Sequence, residues 1–274
     1  MDVQRLFRPD GGFFLIAGPC VLEDDALNLR VADALARLAS DTGVPVIFKA
    51  SYDKANRSHG DAPRGPGLDE GLERLRRVRD RSGLPVLTDV HEAAQATAAG
   101  DVCDVLQIPA FLCRQTDLLV AAGETGRPVN VKKGQWMAPE EMEPAVEKIR
   151  SAGAAGVAVT ERGTFFGYGN LVVDMRSFSR MREATGAPVV FDGTHSVQRP
   201  GQGQRGSGGD PQHIPTLVRA AIAAGADALF LETHPEPHTA PSDGANMLRL
   251  EALRATIEEA LAIREVLERE RAHV

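Results

Sequence analysis

Residues 44–58 read VPVIFKASYDKANRS. Through Phe48 this is an apolar, β-branched run of the kind that forms a buried strand. A buried strand usually gives way to a short turn of Gly, Asn or Asp. This one runs instead into Lys49, Lys54 and Arg57, with Asp53, Asn56 and several hydroxyls among them. That much polarity at the end of a core strand makes sense if other strands end beside it around one site.

The rest of the chain repeats the layout. Apolar runs occur at FFLIAG (13–18), VPVIFK (44–49), LPVLTDV (84–90), DVLQIPA (104–110), PVNVKK (128–133), GVAVTER (156–162), PVVFDGTH (188–195) and ALFLETH (228–234). Segments with helical spacing lie between them; Leu27, Val31, Leu35 and Leu38 share one face in the first. The stretches near 92–99 and 113–124 are Ala-rich and carry a weaker signal. Pro139 and Pro211 stand where a first helical turn would begin. Gly43, Gly83, Gly153 and Gly225 stand where C-cap glycines would. Eight strands alternating with eight helices predict an α/β protein, a (β/α)8 TIM barrel formed as one domain over 1–274 with its site at the C-terminal ends of the strands. An open doubly wound sheet is the competing architecture. The 43% hydrophobic content and 5% aromatics suit an α/β core better than an all-β one.

In a barrel, different strands deliver different groups to one rim. Here the eight ends carry Cys20, Lys49, Asp89, Gln107, Lys132 with Lys133, Arg162, His195 and Glu232. A polar residue at any one strand end simply marks the exit to water. Eight such ends bearing Lys, Arg, His and Cys go beyond that explanation. Lys49, Lys54, Arg57, Lys132, Lys133 and Arg162 would repel one another unless an anion joined them. They exceed what one phosphate needs, so two anionic groups are expected. Lys133 reads best as a solvated surface residue, because neighbours on a strand point to opposite faces.

The net charge of −7 argues against a general nucleic-acid or anionic-membrane surface. Cys20, Cys103 and Cys113 form no disulfide framework, and no apolar run approaches a membrane span. A cytoplasmic protein is expected.

Cys20, His195 and Glu232 end strands that adjoin once a barrel closes, and Asp243 follows the last strand. Thiolate, imidazole and two carboxylates would suit a divalent transition ion. The competing reading is a buried inert Cys20 and a His195 that hydrogen-bonds phosphate. GQGQRGSGGD (201–210) reads as a phosphate-binding or lid loop, without P-loop spacing. His234 and His238 are set apart by Pro235 and Pro237, so no helical ligand pair is expected. His91 and Glu92 are undecided. Cys103 reads as packing, as does Cys113, although Arg114 beside it opens a route to a lowered pKa. Phe111 and Trp136 read as pocket wall or interface.

AGPC (17–20), FKASYDKANRS (48–58), RGPGL (64–68), TDVHE (88–92), QIPAFLCRQTDLL (107–119), NVKKGQ (130–135), TERGTFFGYGNLVVD (160–174), DGTHSVQ (192–198), SGG (207–209) and ETHPEP (232–237) together resemble the 3-deoxy-D-manno-octulosonate 8-phosphate synthases. The resemblance runs through nearly the whole chain. It implies condensation of phosphoenolpyruvate with D-arabinose 5-phosphate for lipopolysaccharide biosynthesis, by a homotetramer of barrels. KANRS (54–58) distinguishes that family from the 3-deoxy-D-arabino-heptulosonate 7-phosphate synthases, which resemble KPRTS there and use erythrose 4-phosphate. A metal-dependent aldolase and a non-catalytic phosphate-sugar binder are further alternatives.

By resemblance, Cys20 implies the metal-dependent class, with Cys20, His195, Glu232 and Asp243 as ligands to Zn, Fe, Mn or Co. Lys49, Lys54, Lys132 and Arg162 match residues that hold phosphoenolpyruvate. Asn56, Arg57 and Ser58 match contacts to the pentose phosphate. Asp89 and Gln107 match residues at the reacting centre, with Lys49, Asn56, Asp89 and His195 in catalytic roles. Arg114 matches a residue that reaches a neighbouring subunit's site. The family's usual SIHSYRGPG after NRS is HGDAPRGPG here, Trp136 replaces the usual Phe, and GQGQRG is idiosyncratic.

Overall fold

The computed structural model describes residues 1–57, 59–166, 169–203 and 206–271. Eight parallel strands among them close into a barrel: β1 (Phe14–Gly18), β2 (Val46–Lys49), β3 (Val86–Asp89), β4 (Val105–Ile108), β5 (Val129–Lys132), β6 (Val157–Glu161), β7 (Val189–Asp192) and β8 (Ala228–His234). Each pairs with the next, and β1 pairs with β8 from Phe14 opposite Ala228 to Gly18 opposite Glu232, which excludes an open sheet. Helices Asp25–Thr42, Leu68–Ser82, Ala96–Val102, Thr116–Glu124, Glu143–Ser151, Ser177–Thr185, Ile214–Ala223 and Leu250–Arg271 follow the strands in turn. The weaker helical signals are short helices in fact, and Pro139 and Pro211 each open a 3-10 turn.

Strand alternation divides the barrel into two cores. Leu15, Phe48, Val86, Leu106, Val129, Val131, Val159 and Phe191 point outward and pack under the helices. Phe14, Ile16, Ile47, Leu87, Val105, Ala158, Val190 and Phe230 point inward and fill the barrel. The N-terminal segment closes the floor: Phe7 packs on Phe14 with ring centroids 5.4 Å apart, and the Val157 N–H donates to the Phe7 carbonyl at 3.1 Å. Because side chains alternate with period two, the inward row continues upward into Lys49, Asp89, Gln107, Lys132, Asp192 and Glu232. One periodicity therefore gives an apolar lower barrel and a charged upper one.

The helix ends follow local chemistry. Asp24 accepts from the Leu27 N–H at 2.8 Å as an N-cap. Gly43 closes the same helix at φ 71°, a left-handed conformation natural to glycine. At the rim, Gly18 sits at φ 156° against the Lys49 carbonyl oxygen, where any Cβ would collide. Gly18→Ala must push β1 away from β2, and a destabilisation of roughly 1–3 kcal/mol is expected, as for other overpacking changes. Urea denaturation of the variant measures it, and unchanged stability would contradict the tight β1–β2 contact.

Candidate active site

The upper barrel opens into a bowl of about 480 Å³. Lys49, Lys54, Asn56, Arg57, Asp89, Gln107, Lys132, Arg162, His195, Glu232 and Asp243 all line it. Eleven of the residues singled out from sequence thus meet in one place. Cys20 is buried beside Asp243, its Sγ 3.0 Å from Asp243 Oδ2. Arg114 is exposed and lies outside the bowl lining. Ser58 lies outside the described residues.

The cations are interleaved with carboxylates. Lys49 Nζ donates to Glu232 Oε1 at 2.6 Å and to the Cys20 carbonyl at 2.8 Å, with Asp89 Oδ2 at 3.7 Å. Lys132 Nζ reaches Asp192 Oδ2 at 2.6 Å and stands 3.5 Å from the centre of the Phe230 ring. Asp192 Oδ2 also meets His195 Nδ1 at 2.7 Å, and its Oδ1 accepts from the Thr194 and His195 N–H groups. An ionised carboxylate can only accept, so His195 carries its proton on Nδ1. Its Nε2 lies 3.7 Å from Glu232 Oε2.

Burial penalises charge at all these groups, and the neighbours decide the outcome. Burial alone would raise Asp192; His195 and Lys132 overcome it and hold the carboxyl well below the usual range. Asp89 is likewise raised by burial but held low by Lys49, Lys54 and Lys132. Burial is the largest influence on Glu232 and Asp243 too and would raise both, yet both end lowered, with Lys49 the strongest opposing charge at the first and Lys54 at the second. Burial lowers Lys132 and Arg162, with Asp192 opposing the shift at both. Burial alone would lower Lys54, but the carboxylates of Glu232, Asp89 and Asp243 outweigh it and the ammonium is raised.

Lys54, Arg57 and Arg162 have no carboxylate at ion-pair distance among the described residues. Arg162 donates through Nη2 to Gln198 Oε1 at 2.7 Å, while its buried Nη1 has no hydrogen-bond partner. Arg57 bonds the Pro63 carbonyl, Ser242 Oγ and the Pro241 carbonyl, tying the loop after β2 to the loop after β8. These guanidinium and ammonium groups are suited to anions that enter the bowl.

Three of the four residues expected to hold a metal converge. Ligand atoms of Cys20, Glu232 and Asp243 lie within 4.8 Å of one another. His195 is outside that triangle but near it through Nε2. Glu232 Oε2 is buried without a hydrogen-bond partner, a costly condition that a cation relieves. Burial, then Asp243 and Glu232, push the Cys20 thiol well up, so its ionisation calls for a cation at the site. The donor set and the orphaned oxygen together fit a divalent ion.

One other expectation, that for Lys133, changes. Lys133 does point away from the bowl, but it is buried, not solvated: its Nζ donates to Thr164 Oγ1 at 3.1 Å and lies 3.5 Å from Glu161 Oε1. The outer face of a barrel strand is covered by other chain rather than water. Cys113 is also buried, and burial raises its thiol despite Arg114. Cys103 packs as a small hydrophobe, its pKa raised by burial to about 12. His234 is buried with Nε2 at 3.1 Å from Glu23 Oε1, apart from His238, which stays outside the bowl lining. His91 lines the bowl edge-on to Tyr52. The Gly-rich segment forms an antiparallel hairpin, Gln198–Gly203 with Gly206–Gly209, and Pro200, Gly201 and Ser207 reach the bowl. Phe111 lines the bowl and stacks on Trp136, and both are about half exposed. Sequence reasoning passed over Asp192, Asn130, Gln198 and Ser242. Asp192 alone had a signal, its place three residues before His195 on a strand end.

Residues 8–267 match the model of the DAHP synthetase I family. A 2-dehydro-3-deoxyphosphooctonate aldolase of Koribacter versatilis is 57% identical over 257 residues, 93% of this chain and 92% of its own. Proteins of the same name from Syntrophotalea carbinolica (55% over 249 residues, 91% and 90% of the two chains) and Nitratidesulfovibrio vulgaris (54% over 250 residues, 91% of each) are similar in extent.

Depressed carboxyl pKa values contribute stability that is complete above the unfolded-state values and is lost as pH falls through and below them. Denaturation in urea should therefore become easier as the medium is acidified below the ordinary carboxylate range. Asp192→Asn, which leaves Lys132 buried without its anion, is expected to cost about 3–5 kcal/mol near neutrality. It should also flatten the acid-side fall; an equally steep fall would show that Asp192 is not among the groups responsible.

Proposed function

The chain belongs to the DAHP synthetase I family and, within it, to the 2-dehydro-3-deoxyphosphooctonate aldolases; from that premise we propose that the bowl condenses phosphoenolpyruvate with D-arabinose 5-phosphate and water, giving 3-deoxy-D-manno-octulosonate 8-phosphate and phosphate. The observation that carries this reading is the meeting of Lys54, Arg57 and Arg162, none with a carboxylate at ion-pair distance among the described residues, in one bowl with the paired Lys49 and Lys132. Two phosphorylated reactants repel each other in water. A site with that much cationic capacity holds both and orients them.

In the reaction, C3 of phosphoenolpyruvate bonds to the aldehyde carbon of the pentose. The aldehyde oxygen takes the displaced electron pair and a proton. Water adds its oxygen at C2 and loses its protons, and the C2–O bond to phosphate breaks, releasing inorganic phosphate and leaving the ketone. Lys54, Lys132 and Arg162 hold the phosphate and carboxylate of phosphoenolpyruvate. Asn56 and Arg57, with Ser58, hold the pentose phosphate. Lys49 and Asp89 face the reacting carbons from neighbouring strands, one a donor and the other an obligate acceptor. His195, with its proton fixed on Nδ1 by Asp192, keeps Nε2 toward the site.

Cys20, Glu232 and Asp243, joined by His195, would hold a divalent ion such as Zn²⁺, Fe²⁺, Mn²⁺ or Co²⁺. When bound, such an ion polarises a substrate oxygen or lowers the pKa of a water. We further assign the enzyme to lipopolysaccharide biosynthesis in the cytoplasm, as a homotetramer. Exposed Arg114 and the half-exposed Phe111–Trp136 stack support a subunit contact at the rim. Free cysteines among the described residues support a reducing compartment. No described helix is long and apolar enough to cross a membrane.

Phosphate release with phosphoenolpyruvate should be far faster with arabinose 5-phosphate than with erythrose 4-phosphate; the reverse preference would identify a seven-carbon synthase, and no release a binding protein. Arg57→Ala should raise KM for the pentose phosphate about tenfold or more, the worth of one charge-assisted contact, with KM for phosphoenolpyruvate little changed. Equal losses for both would overturn the division of the bowl. Chelator treatment should abolish activity and Mn²⁺, Fe²⁺, Co²⁺ or Zn²⁺ restore part of it, whereas full activity in metal-free protein would reject the ion's role.

A further inference from the structure

Beneath the bowl runs a continuous hydrogen-bond chain across five strand ends. Thr160 Oγ1 donates to Asn130 Oδ1 at 2.7 Å, Asn130 Nδ2 to Gln107 Oε1 at 2.8 Å, and Gln107 Nε2 to Asp89 Oδ1 at 2.7 Å. Ser51 Oγ donates to the other oxygen of Asp89. Strand register builds it, since Asp89 is paired with Gln107 and Gln107 with Asn130 across β3, β4 and β5. Only Asp89 and Gln107 line the bowl; Ser51, Asn130 and Thr160 are fully buried beneath it.

The chain has a direction. Asp89, held ionised by the surrounding lysines, accepts at both oxygens. That forces the amide nitrogen of Gln107 toward Asp89 and its oxygen toward Asn130. Asn130 must then donate to Gln107 and turn its own oxygen to the Thr160 hydroxyl. Every bond depends on the orientation of the next, and no member can flip alone without setting acceptor against acceptor. Asn130 stands between the outward-pointing Val129 and Val131, so its own side chain turns into the fully buried barrel interior. A buried amide is costly there unless both of its ends are satisfied, as they are.

We infer that Asn130, backed by Thr160, is a positioning residue: it fixes which end of the Gln107 amide turns to Asp89 and so sets the hydrogen-bonding face that the Asp89–Gln107 pair presents to the aldose. This rests on the reading that the bowl holds the aldose beside Asp89.

The test reverses the direction. Asn130→Asp keeps the shape but offers Gln107 an acceptor, so Gln107 must turn its oxygen against Asp89. Adding Asp89→Asn restores a satisfiable chain of opposite direction, with the same total charge. Asn130→Asp alone should lower the melting temperature, and the Asp89→Asn/Asn130→Asp pair should recover at least about half of that loss, because neighbours in one network are not additive. In steady-state kinetics, Asn130→Asp should lose at least about tenfold in kcat/KM for the pentose phosphate with KM for phosphoenolpyruvate within about twofold, the scale of one misaligned hydrogen bond. Thr160→Val, which leaves the Asn130 donor in place, should show the same bias at smaller size. A double variant no more stable than Asn130→Asp would overturn the directed chain. Folded Asn130→Asp with unaltered kinetics, or with equal losses for both substrates, would overturn its positioning role. A silent wild type would instead refute the functional reading, and the melting comparison would still decide the chain's direction.

Discussion

Desolvation of charge is the constraint on which the rest of this structure depends. The barrel's inward row carries lysines, carboxylates and an arginine into a region where an unpaired ion costs several kcal/mol. The fold answers by setting opposite signs within reach across the barrel: Lys49 of β2 pairs with Glu232 of β8 and approaches Asp89 of β3, and Lys132 of β5 pairs with Asp192 of β7, both close pairs spanning an intervening strand. Pairing brings orientation with it. Asp192 joins Lys132 and His195 on a single carboxylate oxygen, so the position of each is set by the other. The cations of the bowl left outside these pairs are Lys54, Arg57 and Arg162. Charge satisfied internally thus becomes scaffold, and charge not so satisfied becomes binding capacity.

The same constraint explains what could be read from the sequence. Eight apolar runs ending in reactive residues were sufficient for the barrel, because a period of two and a closed sheet leave few other ways to bury them. The rim residues followed, since a Lys or His at a strand end is conspicuous. Asn130 and Ser51 were not conspicuous: small polar residues within strands are common, and their importance lies in partners supplied by other strands. Lys133 shows the complementary error. Alternation correctly turned it away from the bowl, but solvent exposure did not follow, because Glu161 and Thr164 meet it on the covered outer face. Direction along a strand is legible locally; what waits at the end of a side chain is not.

The cluster of Cys20, Glu232 and Asp243 marks a different limit. Cys20 lies more than two hundred residues from Glu232 and Asp243, so no spacing rule could join it to them; closure of β1 onto β8 does. Two carboxylates beside a thiol form an electrostatically poor arrangement by themselves. Lys49 and Lys54 offset part of the charge, which is why both carboxyls remain depressed, yet the thiol stays protonated-leaning and one Glu232 oxygen stays unpartnered. The divalent ion proposed for this cluster would relieve both conditions at once, whereas a purely structural cluster would leave them.

The loop after β2 departs from the family's usual sequence, and its contacts show why that departure is tolerable. Lys54 N–H donates to the Arg64 carbonyl and Gly67 N–H to the Tyr52 carbonyl, closing the loop through backbone groups. Arg64 reaches back to Asp53, and the Arg57 guanidinium is held by the carbonyls of Pro63 and Pro241 with the Ser242 hydroxyl. The loop-side contacts of Arg57 and Lys54 are thus main-chain oxygens, which any residue supplies. A serine and an aromatic can disappear from HGDAPRGPG without removing one of them. The side chains by which the segment serves the bowl are Lys54 and Arg57, and both lie outside the altered stretch.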